Sequence, residues 1–189
     1  MTTDLRRHFT EHQQLVKESI DALETASEAA ARALVSALAA GNKVLTLGNG
    51  GSSAEASHLA EELVGRYRKM RRPFPAICLT SDSGTVTCIA NDFGYEAVFD
   101  RQVEAFAQKG DVVVAMTTSG KSENVLRALR TAKAQGALTI ALTGAAGLNG
   151  VDADHVLAVP STDSAYIQEV HLMLIHVWCE AVDRALGGD

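Results

Sequence analysis

The sequence predicts a three-layer α/β fold, in which a five-stranded, mostly parallel sheet lies between two layers of helices. Five apolar stretches alternate with segments that, except for the last, are long enough to form crossover helices. A helical pattern also precedes the first strand, and it adds more helix than one face of a sheet needs. The predicted strands are residues 43–47, 76–80, 111–116, 138–143 and 155–159.

The N-terminal region is predicted to form extra helices that serve oligomerisation. Apolar residues recur at helical spacing through residues 4–24, and an alanine-rich second helix continues to Gly41. Because these helices exceed what the sheet can cover, we expect part of their surface to bury against another subunit. The apolar positions of the first helix are Leu5, Phe9, Val16, Ile20 and Leu23.

The chain is predicted to be a single domain over residues 1–189, a length that supports one hydrophobic core. The N-terminal helices would occupy residues 1–41 and the α/β core residues 42–189. A last helix would run over residues 165–186 and stop at the glycines that follow. No internal repeat or linker divides the sequence.

The composition is that of an ordinary globular protein, with 47% hydrophobic and 21% charged residues. The net charge of -6 argues against general nucleic-acid binding, which requires a basic face. The N-terminus lacks the apolar segment of a signal peptide, and no apolar run approaches membrane-spanning length. We therefore expect no nucleic-acid partner, no membrane association and a cytoplasmic location.

Cysteine usage supports the same location. Cys78, Cys88 and Cys179 are odd in number, widely spaced and surrounded by apolar residues. This pattern is typical of buried thiols in a reducing compartment, and it differs from a disulfide framework or a zinc knuckle.

A glycine-rich stretch after the first strand carries the main functional signal. Gly48, Gly50 and Gly51 allow the backbone to turn sharply and to approach a ligand closely, because they lack a Cβ. Ser52 and Glu55 have the spacing of a capping box, which predicts a helix that begins there. Since the N-terminus of a helix attracts anions, this loop is predicted to bind phosphate.

The same helix carries a possible catalytic pair. His58 and Glu62 are four residues apart and share one helix face, and Arg66 lies about one turn further on. A phosphate loop that leads directly into a His/Glu pair suggests an enzyme for phosphorylated metabolites.

A second hydroxyl-rich loop follows the third predicted strand. Thr117, Thr118, Ser119 and Ser122 supply four hydroxyls, and Ser122 could cap the next helix. One such loop would be ordinary turn chemistry. Two loops at the same edge of a parallel sheet favour phosphate binding, because ligands bind at the carboxyl ends of the strands.

Three motif matches are weaker. The loop at residues 48–53 has Ser where a dinucleotide fingerprint has its third glycine. Residues 115–122 nearly match a P-loop, but the first glycine is Ala and the Walker-B candidate, Asp82, comes late after its strand. His8 and His12 belong to an H-x-x-E-H pattern near the terminus, which we interpret as a solvated helix face. The basic run at residues 66–72 is, apart from Arg66, interpreted as solvated surface.

The last helix adds His176 in a strongly apolar context, where a histidine by itself is more often part of the core. Together with His58 and Glu62, however, it could complete a His/Glu/His set that suits zinc with an open coordination position. Gln168 lies two turns earlier, a rise of about 12 Å, and is a weaker candidate ligand.

These motifs, taken in order, resemble the sugar isomerase (SIS) domain family, and within it the branch that acts on heptose phosphates. The resemblance covers nearly the whole chain. It is carried by the segments Gly48–Ser52, His58–Tyr67, Asn91–Tyr95, Thr118–Ser122 and Ile167–His176.

The resemblance implies the isomerisation of sedoheptulose 7-phosphate to D-glycero-D-manno-heptose 7-phosphate, which opens nucleotide-activated heptose synthesis. It also implies a cytoplasmic homotetramer with active sites between subunits and one zinc ion per subunit. Glu62 would be the base and His176 the acid/base partner, and zinc would bind His58, Glu62, Gln168 and His176. The implied substrate contacts are Asn49, Gly50, Gly51, Ser52, Arg66, Asn91, Asp92, Thr117, Thr118, Ser119, Ser122 and Gln168.

The residue chemistry agrees with this interpretation. Exchange between a ketose and an aldose needs one group to move a proton between C1 and C2, and another to move protons between O1 and O2. Glu62 and His176 are suitable types. Zinc bound to the same carboxylate would lower its basicity, so the metal either polarises the sugar oxygens or mainly orders the site.

Two departures and two alternatives stay open. Lys121 stands where the family commonly has Asn, and Ala165-Tyr166 precedes Ile167 where Arg is usual, which bears on contacts near the start of the last helix. A related SIS tetramer binds the bacterial replication initiator without catalysis, but it lacks the acid and the histidine found here at 62 and 176. The other alternative is a P-loop nucleotide hydrolase.

Overall fold

The five predicted strands form one sheet in the computed structural model, which describes residues 4–187. Along the sheet their order is β2-β1-β3-β4-β5, and every neighbouring pair is parallel. The prediction of a mostly parallel, five-stranded sheet is therefore confirmed, with strand ends shifted by up to two residues. The strands are β1 (Val44–Gly48), β2 (Ala76–Cys78), β3 (Val112–Thr117), β4 (Leu138–Thr143) and β5 (His155–Ala158).

Helices cover both faces of this sheet. The α-helices are α1 (Leu5–Ala39), α2 (Gly51–Val64), α3 (Ser83–Phe93), α4 (Asp100–Phe106), α5 (Glu123–Ala134) and α6 (Ser164–Leu186), and a short 3-10 turn spans Tyr95–Ala97. The strand residues alternate between the two faces. Val112 and Val114 pack into a core with α1, α2 and α6, whereas Val113 packs into a second core with α3, α4 and α5. The three-layer prediction is confirmed.

The prediction of two separate N-terminal helices is wrong. A single helix of 35 residues, α1, runs without a break from Leu5 to Ala39. No glycine or proline occurs within it, and its second half is rich in alanine, the strongest helix former. Its buried face also continues across the predicted gap, through Leu23, Ala30 and Leu34.

The sheet order brings the two hydroxyl-rich loops together. Gly48, the last residue of β1, pairs with Met116 near the end of β3. The loops that follow β1 and β3 therefore leave the same edge of the sheet side by side. Reciprocal hydrogen bonds of 2.9 Å between the side-chain amides of Asn49 and Asn124 join the segments just beyond these strands.

The cysteine prediction is correct for two of the three residues. Cys78 and Cys179 are buried, but Cys88 is exposed. The difference arises because α3 buries only Ile89, so that most of this helix faces outward. Within residues 4–187 no helix is both long and apolar enough to cross a membrane.

Candidate active site

Helix α2 begins two residues earlier than the capping-box pattern predicts, because its N-cap is Gly50 and not Ser52. Gly50 occupies the N-cap position with a φ of 55°, and no side chain caps the helix. Ser52 consequently lies inside the first turn and is buried, and it is Ser53 whose hydroxyl donates to the Gly50 carbonyl (2.7 Å). Glycine is favoured at residue 50 because its φ lies in the left-handed region.

An amide from α6 reaches this loop. A Cβ on Gly51 would lie 2.6 Å from Nε2 of Gln168, so a side chain at position 51 would displace the Gln168 amide from the loop. The same Nε2 donates to Oγ of Ser52 at 3.4 Å. Gln168, predicted both as a zinc ligand and as a substrate contact, is thus positioned against the phosphate-loop backbone.

Two of the four predicted hydroxyls of the second loop lie close together. Thr117 is buried, and its hydroxyl donates to Oγ of Ser122 at 3.4 Å. Ser122 is the N-cap residue of α5, as predicted, but its side chain makes no capping hydrogen bond. Oγ of Ser119 accepts from the backbone N–H of Lys121 (3.2 Å).

α6 and a glycine shape this loop further. Hydroxyl oxygens of Thr118 and Ser164, the first residue of α6, lie 3.0 Å apart. Gly120 has a φ of 64°, and a Cβ there would lie 1.7 Å from the carbonyl oxygen of Gly147. A side chain at position 120 would therefore force the loop to move.

Two residues at this edge, Tyr95 and Asn124, were not among the predicted site residues, although Tyr95 ends a segment that carries the family resemblance. The Tyr95 hydroxyl donates to Oδ1 of Asn49 at 2.9 Å, and Asn124 holds the same oxygen through its amide. Only the long-range packing of the 3-10 turn, α5 and the first loop makes this network.

The catalytic and metal candidates of α2 and α6 meet within one chain. Nε2 of His58 lies 3.1 Å from Nε2 of His176 and 3.5 Å from Oε1 of Glu62. One donor atom from each of the three residues lies within 4.8 Å of the others. The Tyr67 ring stacks on His176, with ring centroids 5.6 Å apart, and only 13% of the Glu62 side chain is exposed.

The donor chemistry and spacing of this triad fit a metal ion. Ligand atoms about 2.0–2.1 Å from a tetrahedral zinc ion lie roughly 3.3 Å from one another, which is close to the 3.1 and 3.5 Å that separate His58 from His176 and Glu62. Nδ1 of His58 lies 3.8 Å from Oε2 of Glu61, on the side opposite Nε2. A carboxylate on that side favours a proton on Nδ1, which leaves Nε2 free as a ligand.

A buried ion pair ties the end of α2 to α6. Nε of Arg71 donates to Oδ1 of Asp183 at 2.9 Å, and the other Arg71 nitrogens donate to the carbonyls of Glu62 (2.6 Å) and Leu63 (2.9 Å). Burial alone would raise the pKa of Asp183, but the donors around it, the Lys69 N–H and the Arg71 guanidinium among them, lower it.

The interpretation of the basic run must therefore be corrected. Arg71 is buried and structural, whereas Arg66, the predicted functional arginine, is exposed and donates to the carbonyl of Arg68 (3.4 Å). Asn91 and Asp92 are also exposed, on α3, and hydrogen-bond each other (2.7 Å). In a single chain these three predicted substrate contacts remain on the surface.

A second Glu/His pair lies between α2 and α6. His171 is fully buried, and its Nε2 lies 3.2 Å from the carbonyl oxygen of Thr143, at the end of β4. Its Nδ1 faces Oε2 of Glu55 at 4.0 Å, and neither atom has a hydrogen-bond partner within the described part of the chain.

Both groups of this pair are neutral near pH 7. Burial raises the pKa of Glu55 to about 8, against the opposing effect of the Ser52 hydroxyl. Burial also lowers the pKa of His171 to about 4, although the contact with Thr143 acts in the other direction. A contact of 4.0 Å between these groups is therefore not an ion pair at neutral pH.

The interpretation of His8 and His12 as a solvated face is only partly correct, because their side chains are 44% and 25% exposed but both contact Glu169 of α6. Nε2 of His8 lies 2.9 Å from one carboxylate oxygen of Glu169, and Nδ1 of His12 lies 2.8 Å from the other. The Tyr166 hydroxyl donates to Glu11 (2.7 Å), and its ring packs beside both imidazoles. The motif joins the start of α1 to the start of α6.

Asp82 cannot serve as the acidic Walker-B residue that the P-loop interpretation requires. Asp82 is the N-cap of α3, where its carboxylate accepts from the N–H groups of Gly84 (2.9 Å) and Thr85 (3.3 Å). A carboxylate used as a helix cap is not available to a magnesium ion in the manner of a Walker-B residue.

The fold and this site define an SIS-domain protein. A sequence model of the SIS domain matches residues 7–144, well over half of the chain, and the chain belongs to that family.

Within the family the chain groups with the phosphoheptose isomerases. It is 44% identical to the phosphoheptose isomerase of Aliarcobacter butzleri (strain RM4018), over 99% of this chain and all of that protein. It is 51% identical to that of Aquifex aeolicus (strain VF5), over 80% of each. The solved structure of a phosphoheptose isomerase from Francisella tularensis superposes with a TM-score of 0.89, at 38% identity, and covers 97% of this chain and all of the other.

Proposed function

We propose that this chain is an aldose–ketose isomerase that converts sedoheptulose 7-phosphate to D-glycero-D-manno-heptose 7-phosphate. This reaction is the first step of nucleotide-activated heptose biosynthesis. The observation that carries the proposal is the meeting of Glu62 and His176 in one cluster, in a chain whose relatives are phosphoheptose isomerases over nearly its full length.

The reaction needs two proton transfers, and two groups of the triad are suited to them. Glu62 removes a proton from C1 of the ketose, which gives an enediol, and returns a proton to C2. His176 shifts a proton between O1 and O2, so that the carbonyl moves from C2 to C1. No net proton or electron is gained or lost, and both groups end in their starting states.

The two loops at the ends of β1 and β3 hold the phosphorylated end of the sugar in this proposal. Their hydroxyls and backbone N–H groups suit a phosphate monoester that must bind and then leave. Cationic help would come from Lys121, which is exposed beside the second loop, and from Arg66. The proposed substrate contacts are Asn49, Gly50, Gly51, Ser52, Arg66, Asn91, Asp92, Thr117, Thr118, Ser119, Ser122 and Gln168.

One zinc ion per subunit is proposed at His58, Glu62 and His176, with Gln168 as a further ligand on the strength of the family resemblance. When bound, zinc supplies positive charge that polarises the sugar oxygens. The two imidazoles orient each other and the carboxylate, and the stacked Tyr67 ring limits the freedom of His176.

A homotetramer with active sites between subunits is also proposed. The support is an apolar surface on α1 and α6 in a single chain, where Ile20, Met173 and Val177 are 57%, 43% and 54% exposed. An interface that brings in another subunit would also give the exposed Arg66 and Asp92 a defined partner. We further propose that residues 1–189 act as one domain in the cytoplasm.

The test is turnover of sedoheptulose 7-phosphate by the purified protein, before and after removal of metal with a chelator. We expect conversion to the aldose 7-phosphate, loss of rate on chelation if zinc takes part, and recovery when zinc is added back. Absence of conversion by the zinc-loaded protein would refute the isomerase. Zinc that binds without changing the rate would assign it a structural role.

A further inference from the structure

Glu55 and His171 form a buried polar pair for which the proposed reaction has no use. Glu55 lies three residues after Ser52, beside the phosphate loop, and its side chain is 11% exposed. His171 comes from α6, and its side chain is completely buried. Oε2 of Glu55 and Nδ1 of His171 have no hydrogen-bond partner within the described residues, and buried polar atoms left in this state are costly unless the two groups bond to each other.

The surroundings of His171 decide which nitrogen carries its proton. Nε2 faces the Thr143 carbonyl at 3.2 Å, and a carbonyl oxygen can only accept. The proton of a neutral imidazole is therefore on Nε2, and Nδ1 has a free lone pair. This lone pair faces Oε2 of Glu55. A hydrogen bond between the two atoms therefore requires that Oε2 carry a proton.

We propose that Glu55 acts as a neutral carboxylic acid that donates a hydrogen bond to Nδ1 of His171, and that it is thereby a positioning residue for the phosphate loop. A small rotation of the Glu55 side chain would shorten the 4.0 Å separation to a hydrogen bond. The result is a chain of contacts from Thr143 through His171 to Glu55 and the Ser52 turn, which fixes α2 against α6 and β4.

A neutral side chain at this position also preserves the anion site. The first turn of α2 carries no acidic residue, so that an ionised Glu55 would be the first carboxylate that a phosphate meets on this helix. Two anions would then compete for the same helix N-terminus. The groups that face Glu55 are the Ser52 hydroxyl on its own helix and the His171 imidazole on α6. Neither carries a positive charge at pH 7 that would offset an ionised carboxylate.

Burial raises the pKa of Glu55 to about 8, so the carboxyl is mostly neutral at pH 7. Above that pH the ionised form grows, the hydrogen bond to His171 is lost and the phosphate loop acquires a negative charge. Glutamine at position 55 has the same shape, can donate through its amide and never ionises, which makes Glu55→Gln the matched variant.

The first experiment measures binding of inorganic phosphate by calorimetry, for the wild type and Glu55→Gln, at pH 7 and pH 9. We expect equal affinities within about twofold at pH 7, and at pH 9 an affinity about threefold or more higher for Glu55→Gln than for the wild type. The ionisation of phosphate itself cancels in this ratio. A loss of about tenfold or more in Glu55→Gln at pH 7, or equal affinities at pH 9, would overturn the proposal.

The second experiment uses the wild type alone, so it does not depend on the folding of a variant. Nitrogen-15 NMR of the wild type at pH 7 should find the ring proton of His171 on Nε2, with Nδ1 as a hydrogen-bond acceptor. A proton on Nδ1, or a doubly protonated ring, would contradict the assignment.

The inference rests on the proposed phosphosugar site, but the two can fail separately. If the wild type shows no turnover while phosphate binding and the His171 tautomer are as expected, only the isomerase proposal fails. If turnover is normal while Glu55→Gln loses phosphate binding at pH 7, only the role of Glu55 fails.

Discussion

Helix α2 presents two glutamate–histidine sets to α6, and they differ in what surrounds them. Glu62 lies with two imidazoles in a partly open cluster. Nε2 of His58 is 3.1 Å from Nε2 of His176 and 3.5 Å from Oε1 of Glu62. Glu55 faces a single buried imidazole at 4.0 Å, and that imidazole is committed to a backbone carbonyl on its other side.

The difference shows how the same two residue types acquire different roles. In the open set the free nitrogen and carboxylate lone pairs converge on one point, which suits a metal ion or a substrate oxygen. In the buried set desolvation removes both charges, and the pair can only share a proton. Seven residues, about two helical turns, separate the two glutamates on one helix.

The largest expected effect comes from the open set. Replacing His176 with Gln should lower kcat for sedoheptulose 7-phosphate by about 10²- to 10⁴-fold, since a proton-transfer group is lost. Initial-rate kinetics check this, with thermal unfolding to show that the variant is folded. A kcat within threefold of the wild type would remove His176 from the chemistry and weaken the contrast between the two sets.

The second-largest expected effect is on metal binding, which should distinguish the open set from the buried set. His58→Ala removes a nitrogen donor, and we expect the affinity for zinc to fall by at least about 100-fold, because losing a ligand should cost at least as much as losing an outer-shell partner. Calorimetric titration of the metal-free protein with zinc measures this directly. Replacing the exposed Glu104 of α4 with Gln is the matched control, and its affinity should match that of the wild type. Zinc that binds equally well to His58→Ala lies elsewhere.

The buried set should matter for stability. His171→Leu fills a similar space but leaves Oε2 of Glu55 without its proposed partner. The Thr143 carbonyl still accepts from the Val159 N–H (2.9 Å), so we expect a loss of about 1–3 kcal/mol in the free energy of unfolding. Urea denaturation at pH 7 provides the measurement. A variant as stable as the wild type would mean that the polar pair contributes nothing net.

The pH dependence of stability sharpens the comparison further. The pKa of Glu55 is about 8 in the folded chain and near the ordinary 4.5 when unfolded, so the folded state holds this proton more tightly. Its contribution is fully present below about pH 4.5 and is lost as the pH rises through 8. Between pH 6 and pH 9 the wild type should therefore lose roughly 1–3 kcal/mol of stability relative to Glu55→Gln. Glu104→Gln should follow the wild type at both pH values, and parallel curves for all three proteins would place the Glu55 pKa near its ordinary value.

The smallest effect is expected at the second loop. Ser119→Ala removes one hydroxyl donor and should raise KM for sedoheptulose 7-phosphate about tenfold, with little change in kcat, because uniform binding is lost. Steady-state kinetics separate the two constants. A fall in kcat with unchanged KM would place Ser119 in the reacting part of the site instead.

The parts of the site that the sequence predicted are those that depend on local spacing. His58 and Glu62 share a helix face by their separation of four, and the glycines before α2 and the hydroxyls after β3 follow apolar strands. A parallel sheet then places the carboxyl ends of β1 and β3 at one edge, as predicted, whereas their position as neighbours depends on the strand order, which the sequence did not predict.

The parts that were missed depend on contacts across the chain. Glu55 has the spacing of a capping residue, and only the packing of α6 on α2 turns it into a buried acid. Arg71 looks like surface in a basic run, but Asp183, more than 100 positions later, draws it into the core. Tyr95 and Asn124 meet Asn49 through three separate elements.

The most direct test of the account compares Glu62→Gln with Glu104→Gln in the conversion of sedoheptulose 7-phosphate, with zinc present. We expect Glu104→Gln to match the wild type and Glu62→Gln, although folded, to lose at least about 100-fold in rate. Wild-type turnover by folded Glu62→Gln would contradict the assignment of Glu62 as the base.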